Sequence, residues 1–493
     1  MTNVKNTCFR LSAEKFFPTV SFFFAALGLV ILGFDSWERI FFSYAWSYAE
    51  PVVLAVVQNF PKEPLLYHDY NFSPFILNPY NPLFYWMSVL LVHFTGNGFI
   101  CGRVITVLSS FSIVVCLYFL LSRHVSGRLN AFLFSALFAL IPTVTGYWAE
   151  MRPDMTALFF EILGIFLALE GEKKAESARW PLRLAAVFCF LLAYFTKQTY
   201  FMGAVSFFIF LFLKKENKAA LFLGLGYLAA GVFLTLALNH LTHGNFWMNQ
   251  QMTVRKPFIW GLFLRFISVF LKANGPLAAA AVLGAFLAMK DKKLSLFSIY
   301  LVLCVFWLFS LGKVGADSNY FLEILTVITI LVCLLFEKVQ NQASPANLRL
   351  VASLVLAAHL VFSLISIFLY YGQTRRTIIQ SHAALDKITK VIRSVRGDVL
   401  AENMGLLIAA GKPIVYEPFE FTQLARAGVW DEKKITDRID RRDFPFIVLN
   451  TNTVRFARTG RFTVNFIEHL NARYELFGVT KDSCFFYRPG VDI

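Results

Sequence analysis

Trp148-Ala149-Glu150-Met151-Arg152-Pro153-Asp154-Met155 joins two apolar runs, 129–149 and 155–170. Both runs read as lipid-embedded helices. Three ionisable residues and a proline therefore stand at the edge of the hydrocarbon, where charge is costly and marks a site by default. A second acidic position, Glu50, follows an earlier apolar run in Tyr48-Ala49-Glu50-Pro51. If both places face the same side of a membrane, they can form one active site. The number of crossings between them decides this.

Of 493 residues, 57% are hydrophobic and only 16% charged, and the mean hydropathy is +0.59. A soluble chain of this size is not so apolar. The apolar runs recur near the ~20 residues that a spanning helix needs. The fold class is thus a polytopic α-helical membrane protein, with 56 Phe giving it a strongly aromatic character. The net charge of +15 resides largely in short loops between apolar runs, as in cytoplasmic loops. No folded basic module is visible, so nucleic acid is not an expected partner. The cysteines fall mostly in or beside apolar runs and form no CxxC, which counts against zinc and against a disulfide framework. Lys5, Arg10 and Lys15 precede a first run without a small-residue cleavage site, so that run reads as an uncleaved span.

Basic clusters set the topology. Lys5/Arg10/Lys15, Arg123/Arg128, Lys173/Lys174/Arg179/Arg183, Lys214/Lys215/Lys218, Lys290/Lys292/Lys293 and Lys338/Arg349 should all be cytoplasmic. Spans near 17–40, 102–122, 129–149, 155–170, 183–197, 199–213, 219–239, 275–290, 294–312, 320–336 and 348–370 satisfy this. They make about eleven helices, with the N-terminus inside. Pro82–Phe94 and Phe258–Leu271 are too short to span and are expected as amphipathic helices on the outer surface. Glu50, Asp69, Asn81, Arg103, the Glu150–Asp154 junction, Lys197, the loop from His240 to Lys256, and Gly312–Tyr320 then share the extracytoplasmic side. Residues 1–371 form the membrane module. Charge returns from 372, and 372–493 reads as a small extracytoplasmic α/β domain. Its expected strands are Val399–Glu402, Pro413–Tyr416, Phe446–Asn450 and Cys484–Tyr487. Its expected helices are Ala383–Val395, Phe421–Ala427, Lys433–Arg441 and Asn465–Tyr474.

Each polar position admits a bland and a functional reading. Glu50 before Pro51 either caps a helix, where the dipole favours a carboxylate, or acts as a general base. The run containing Asp69, Tyr80, Asn81 and Tyr85 either packs on the membrane face or offers stacking and hydrogen-bonding surfaces suited to sugars. Arg152 and Asp154 either pair at a helix end or face a site. Glu161, about two turns after Asp154, either deepens the pocket or pairs with a base on a neighbouring span. Lys197 and Arg103 either snorkel to the interface or present charge to a lipid phosphate. His240 and His243 lack further ligands at zinc spacing. Lys313, Asp317 and Asn319 sit in a polar turn that could line a cleft.

The pattern resembles the GT-C superfamily of membrane glycosyltransferases, in the branch of the protein mannosyltransferases and the bacterial lipid A aminoarabinose transferase. The matching elements are Glu50, Asn81-Pro82-Leu83-Phe84-Tyr85, Gly102-Arg103, Arg152-Pro153-Asp154-Met155, Lys197-Gln198 and Asp317-Ser318-Asn319-Tyr320, over roughly 17–370. Many members carry Asp where Glu50 stands. The resemblance implies a polyprenyl-phosphate-linked sugar donor, a lipid, glycan or protein acceptor, and a bacterial cytoplasmic (inner) membrane location.

The chemistry agrees. A phosphate leaving group is already a weak base and needs no protonating acid. One carboxylate must take the acceptor proton, and cations must hold the phosphate. Glu50 and Asp154 are the catalytic candidates, and Arg103, Arg152 and Lys197 the phosphate-binding ones. Asp69, Tyr80, Asn81, Tyr85, Lys313, Asp317 and Asn319 are candidate substrate contacts. No cofactor is expected. Two or three carboxylates could hold a divalent metal, though the cationic neighbours count against it. The rival readings are a transporter or flippase of lipid-linked glycans, which should show repeats and broken mid-membrane helices, and an envelope scaffold.

Overall fold

The computed structural model describes residues 2–96, 98–290, 295–341, 345–450, 460–480 and 484–490. Lys292 and Lys293 lie outside them, and of Lys5, Arg10 and Lys15 only the helical backbone is described. The membrane module comprises α1 (Thr2–Phe41), α2 (Ala49–Asn59), α3 (Leu83–Thr95), α4 (Gly98–Ser122), α5 (Arg128–Leu140), α6 (Pro142–Tyr147), α7 (Asp154–Gly171) and α8 (Glu176–Thr196). It continues through α9 (Met202–Leu213), α10 (Asn217–Leu241), α11 (Asn245–Val254), α12 (Trp260–Lys290), α13 (Leu296–Trp307), α14 (Leu322–Asn341) and α15 (Ala346–Ser394).

Among the described residues seven helices are long and apolar enough to cross a membrane: α1, α4, α8, α10, α12, α14 and α15. α3, α5, α9 and α13 are apolar but shorter, and α7 carries Asp154, Glu161 and Glu170. The expected span 129–149 is broken at Ile141-Pro142 into α5 and α6, since proline has no N–H to continue the ladder. α3 matches the expected short helix. Its Trp86, Leu90 and Phe94 are exposed at helical spacing, an apolar stripe on one face, and Gly96 ends it with φ +69°.

Two expectations fail. Phe258–Leu271 is not a separate surface helix, because α12 runs unbroken for 31 residues through Gly275-Pro276. Membrane helices tolerate an internal proline, and α12 continues past Pro276. Nor are the expected span 348–370 and the expected helix Ala383–Val395 separate elements. α15 continues for 49 residues, about 74 Å at the helical rise, so the expected helix Ala383–Val395 is its far end.

Ion pairs gather the turns between helices at each end of the bundle. At one end Arg183 pairs with Glu172 and Glu216, each at 2.5 Å, Lys214 pairs with Glu172 at 2.6 Å, and Arg123 pairs with Glu170 at 3.7 Å. These contacts join the turns after α4, α7 and α9. The opposite end carries α2, α3, the 148–153 junction, the turn after α8 and the 313–319 turn. α4 grips that junction, with Thr106 Oγ1 donating to the Arg152 carbonyl at 3.3 Å and Ser110 Oγ to the Trp148 carbonyl at 3.0 Å. Gly102 is required here. A Cβ at that position would stand 2.1 Å from Met151 Cγ.

Beyond α15 a four-stranded sheet has the order β1-β2-β4-β3. The strands are β1 (Val399–Ala401), β2 (Phe446–Leu449), β3 (Tyr474–Val479) and β4 (Phe485–Pro489). β1 pairs parallel with β2, and β4 pairs antiparallel with β2 and β3. The helices are α16 (Met404–Ala409), α17 (Pro418–Arg426), α18 (Lys433–Asp440) and α19 (Val464–Arg473). The expected strand Pro413–Tyr416 makes only an isolated bridge, Tyr416 to Phe75. That bridge joins the domain to the loop before α3, where Phe75 N donates to the Val415 carbonyl and Glu417 N to the Phe75 carbonyl, each at 2.9 Å.

Candidate active site

Two ionic clusters occupy the domain-bearing end. In the first, Glu50 on the opening turn of α2 is fully buried. Its Oε1 accepts from Arg103 Nε at 2.9 Å and the Met151 amide at 2.8 Å. Its Oε2 accepts from Arg103 Nη2 and the Trp46 amide, each at 2.7 Å. Burial pushes this carboxyl upward, but the Arg103 charge and these four donors outweigh it and hold it below the usual range. The remaining Arg103 donors go to the carbonyls of Arg39 at 3.0 Å, Phe42 at 2.5 Å and Tyr44 at 2.6 Å. Arg103 is fully buried with all its N–H groups engaged, so it has none left for a donor phosphate. That expectation is corrected. Glu50 is likewise enclosed, and it meets the 148–153 junction at the Met151 amide.

In the second cluster Asp154, the first residue of α7, receives Lys197 Nζ at 2.5 Å and Asn319 Nδ2 at 2.6 Å on Oδ1, and Arg152 Nε at 3.3 Å on Oδ2. Burial raises its pKa, but Lys197 and Arg152 pull it down to about 2. Arg152 Nη1 also donates to Asp317 Oδ2 at 3.2 Å, and Asp317 Oδ1 accepts the Ser318 amide at 2.7 Å. Burial lowers the Lys197 ammonium and Asp154 only partly restores it. Glu150, which the sequence reading left without a role, is pushed up to about 7 by burial against the opposing pull of Arg152 and Arg39.

This second cluster forms the wall of a cavity of about 230 Å³. Tyr80, Arg152, Lys197, Lys313 and Asn319 line it, as sequence reasoning anticipated, together with Lys256, Gln198 and Glu420. Asp154 and Asp317 lie behind that lining as partners of Lys197 and Arg152. The other expected contacts are elsewhere. Asp69 accepts the Asn71 amide at 2.8 Å in a turn, Asn81 Nδ2 is spent on the Tyr194 carbonyl at 2.7 Å, and Tyr85 is fully buried. Among the described residues Glu161 neither lines the cavity nor pairs with a base. It accepts from Gly203 N at 2.6 Å and from Tyr300, which also reaches Glu323. Among the described residues no three of His, Cys, Asp or Glu gather to hold a metal ion.

A second cavity adjoins the first. It holds about 680 Å³ and is lined mainly by apolar side chains, among them Phe201, Val205 and Phe208 beside Leu228, Val232 and Trp247. Gln198 lines both cavities, and its Nε2 donates to the Pro79 carbonyl and to Gln250 Oε1, each at 2.8 Å.

A bundle of this size with a polar pocket at one end and an apolar groove beside it can be compared with known proteins. A family model described as dolichyl-phosphate-mannose-protein mannosyltransferase matches residues 78–243. ArnT from Cupriavidus metallidurans bound to undecaprenyl phosphate superposes with a TM-score of 0.63 at 11% identity, over 94% of this chain and 97% of that one. The chain has the GT-C fold. The Archaeoglobus fulgidus oligosaccharyltransferase in complex with zinc and sulfate shares this GT-C fold with a TM-score of 0.56 at 12% identity, over 95% of this chain and 73% of that one. No curated protein matches the sequence. The ArnT superposition leaves out only about 6% of this chain and so extends past residue 370.

Proposed function

We propose that this protein moves a sugar from a polyprenyl-phosphate donor to a hydroxyl-bearing acceptor at the extracytoplasmic face of a bacterial cytoplasmic membrane. The observation that carries the reading is the pairing of the two cavities. The polar one supplies Arg152, Lys197, Lys256 and Lys313, cations of the kind that hold a departing phosphate. The apolar one continues from it through Gln198 and offers branched and aromatic walls to a prenyl chain. ArnT, of like fold, is described in complex with undecaprenyl phosphate, and a dolichol phosphate accompanies the archaeal oligosaccharyltransferase AglB. The basic turns at the opposite end of the bundle support the assigned sidedness.

In this reading Asp154, itself held by Asn319, fixes Lys197, and Asp317 holds Arg152. The phosphate enters against these fixed cations, so little reorganisation is needed as charge develops on the leaving oxygen. Glu50 and Arg103 act one layer away by fixing Met151 and thus the start of the junction. A single displacement inverts the anomeric centre, unlike glycosidase chemistry with its paired carboxylates.

Turnover in detergent tests the proposal. Purified protein is supplied with undecaprenyl-phosphate-linked glucose, mannose, galactose and arabinose, and release of undecaprenyl phosphate is measured. An enzyme works without a sealed compartment, so release from at least one donor is expected. Transport of these lipids across sealed vesicles, with no release in detergent, would favour the flippase instead.

A further inference from the structure

The proposed transfer requires a group that accepts the acceptor's proton. Glu50 and Asp154 are both closed off from solvent, and N–H donors occupy their oxygens. Among the described residues one carboxylate does line the phosphate cavity, and it comes from the sheet domain: Glu420, on the first turn of α17. Its Oε1 accepts from Lys256 Nζ at 2.7 Å, and both side chains are 12% exposed. Its Oε2 makes no hydrogen bond among the described residues.

The turn bearing Glu420 is pinned to the membrane module by groups other than its own carboxylate. The Phe419 amide donates to Tyr48 Oη at 3.0 Å. Glu417 Oε2 accepts the Leu77 amide at 3.3 Å, and Glu417 N donates to the Phe75 carbonyl at 2.9 Å. The side chain of Glu420 is therefore held at the cavity without being needed to hold the domain down.

From this placement we infer that Glu420 is the acceptor base, an inference that rests on the transfer reading above. Its carboxylate removes the proton from the acceptor hydroxyl as that oxygen bonds to the anomeric carbon. The bond from that carbon to the phosphate oxygen breaks, and its electron pair leaves with the phosphate toward Arg152, Lys197 and Lys313. Glu420 then passes the proton to solvent. Lys256 orients one carboxylate oxygen and leaves the other for the acceptor. The sheet domain is on this account a part of the active site, since the module alone lacks the base.

The test compares wild type with Glu420→Gln and Glu420→Ala. The donors are the four undecaprenyl-phosphate-linked sugars named above, water serves as the simplest acceptor, and binding of undecaprenyl phosphate is measured separately. We expect Glu420→Gln to lower kcat at least 100-fold while binding undecaprenyl phosphate as tightly as wild type or more so, because an anion has left a cationic cavity. Added formate should restore part of the Glu420→Ala turnover, which a merely structural carboxylate would not allow. Turnover within threefold of wild type in Glu420→Gln overturns the assignment and leaves the transfer reading standing. So does loss of undecaprenyl phosphate binding in both variants with no rescue by formate, since Glu420 would then only anchor Lys256. A wild-type protein that neither binds undecaprenyl phosphate nor releases it from any donor overturns both.

Discussion

Arg103→Gln is expected to destabilise the protein by about 3–5 kcal/mol, the usual loss when one partner of a buried ion pair is removed. The substitution strips Glu50 of its counter-charge inside a fully buried site. It also takes donors from the carbonyls of Arg39, Phe42 and Tyr44, and an unpaired buried acceptor carries its own desolvation cost. Thermal unfolding in detergent should show a large fall in Tm, and the yield of folded protein should fall with it. Glu50→Gln combined with Arg103→Gln should be milder than the sum of the single changes, because neither charge is then left alone. A phosphate-binding role for Arg103 predicts the opposite: a stable Arg103→Gln protein with weakened lipid affinity.

Asp154→Asn should abolish turnover and reduce stability by about 2–3 kcal/mol, from a carboxyl pKa displaced from 3.8 to about 2. The sign follows from linkage. A depressed carboxyl contributes stability that is complete above its unfolded value and is lost as the pH falls through its folded value. The gap in Tm between wild type and Asp154→Asn should thus be constant from neutral pH down to about 5 and should close between about 4 and 2. The functional loss has a separate cause. Burial already lowers the Lys197 ammonium, and removal of its anion lets it fall further. The cavity then loses a cation, and any residual turnover of the variant should decline more steeply than that of wild type as pH rises.

Much of this arrangement was legible in the sequence because a bilayer leaves few places for charge. Arg152, Asp154, Lys197, Lys313, Asp317 and Asn319 all stand at the ends of apolar runs, and the positive-inside pattern of the sequence assigns those ends to one side. Their convergence in one cluster follows from crossing parity. What could not be read is how a charge is spent. Glu50 and Arg103 have the residue types of a base and a phosphate ligand, and only coordinates show them neutralising each other across 53 positions. Glu420 was invisible for another reason. It lies in a short helix of the sheet domain with no motif around it, and it reaches the cavity through the docking of that helix's first turn on Phe75, Leu77 and Tyr48. The merged helices show a third limit. Lys272-Ala273-Asn274-Gly275-Pro276 has the composition of a break, yet packing carries α12 through it. The same holds for the charged stretch after 371, which marks where α15 passes the expected end of its span and not where it stops. No strand is expected at β3, because Glu475–Val479 has no clear alternation of apolar and polar residues.

Direct binding of undecaprenyl phosphate to the purified protein tests the central claim, that the cationic cavity and the apolar groove form one lipid-phosphate site. Lys313 lines the cavity without an ion pair among the described residues, and a Cβ added at Gly231 in the groove meets nothing within 4 Å. Lys313→Glu therefore reverses the charge at the phosphate end, and Gly231→Trp fills the chain end. Wild type should bind saturably, and each substitution should weaken affinity at least tenfold while leaving Tm unchanged. Wild-type affinity in both variants, or no saturable binding by the wild-type protein, would contradict the account.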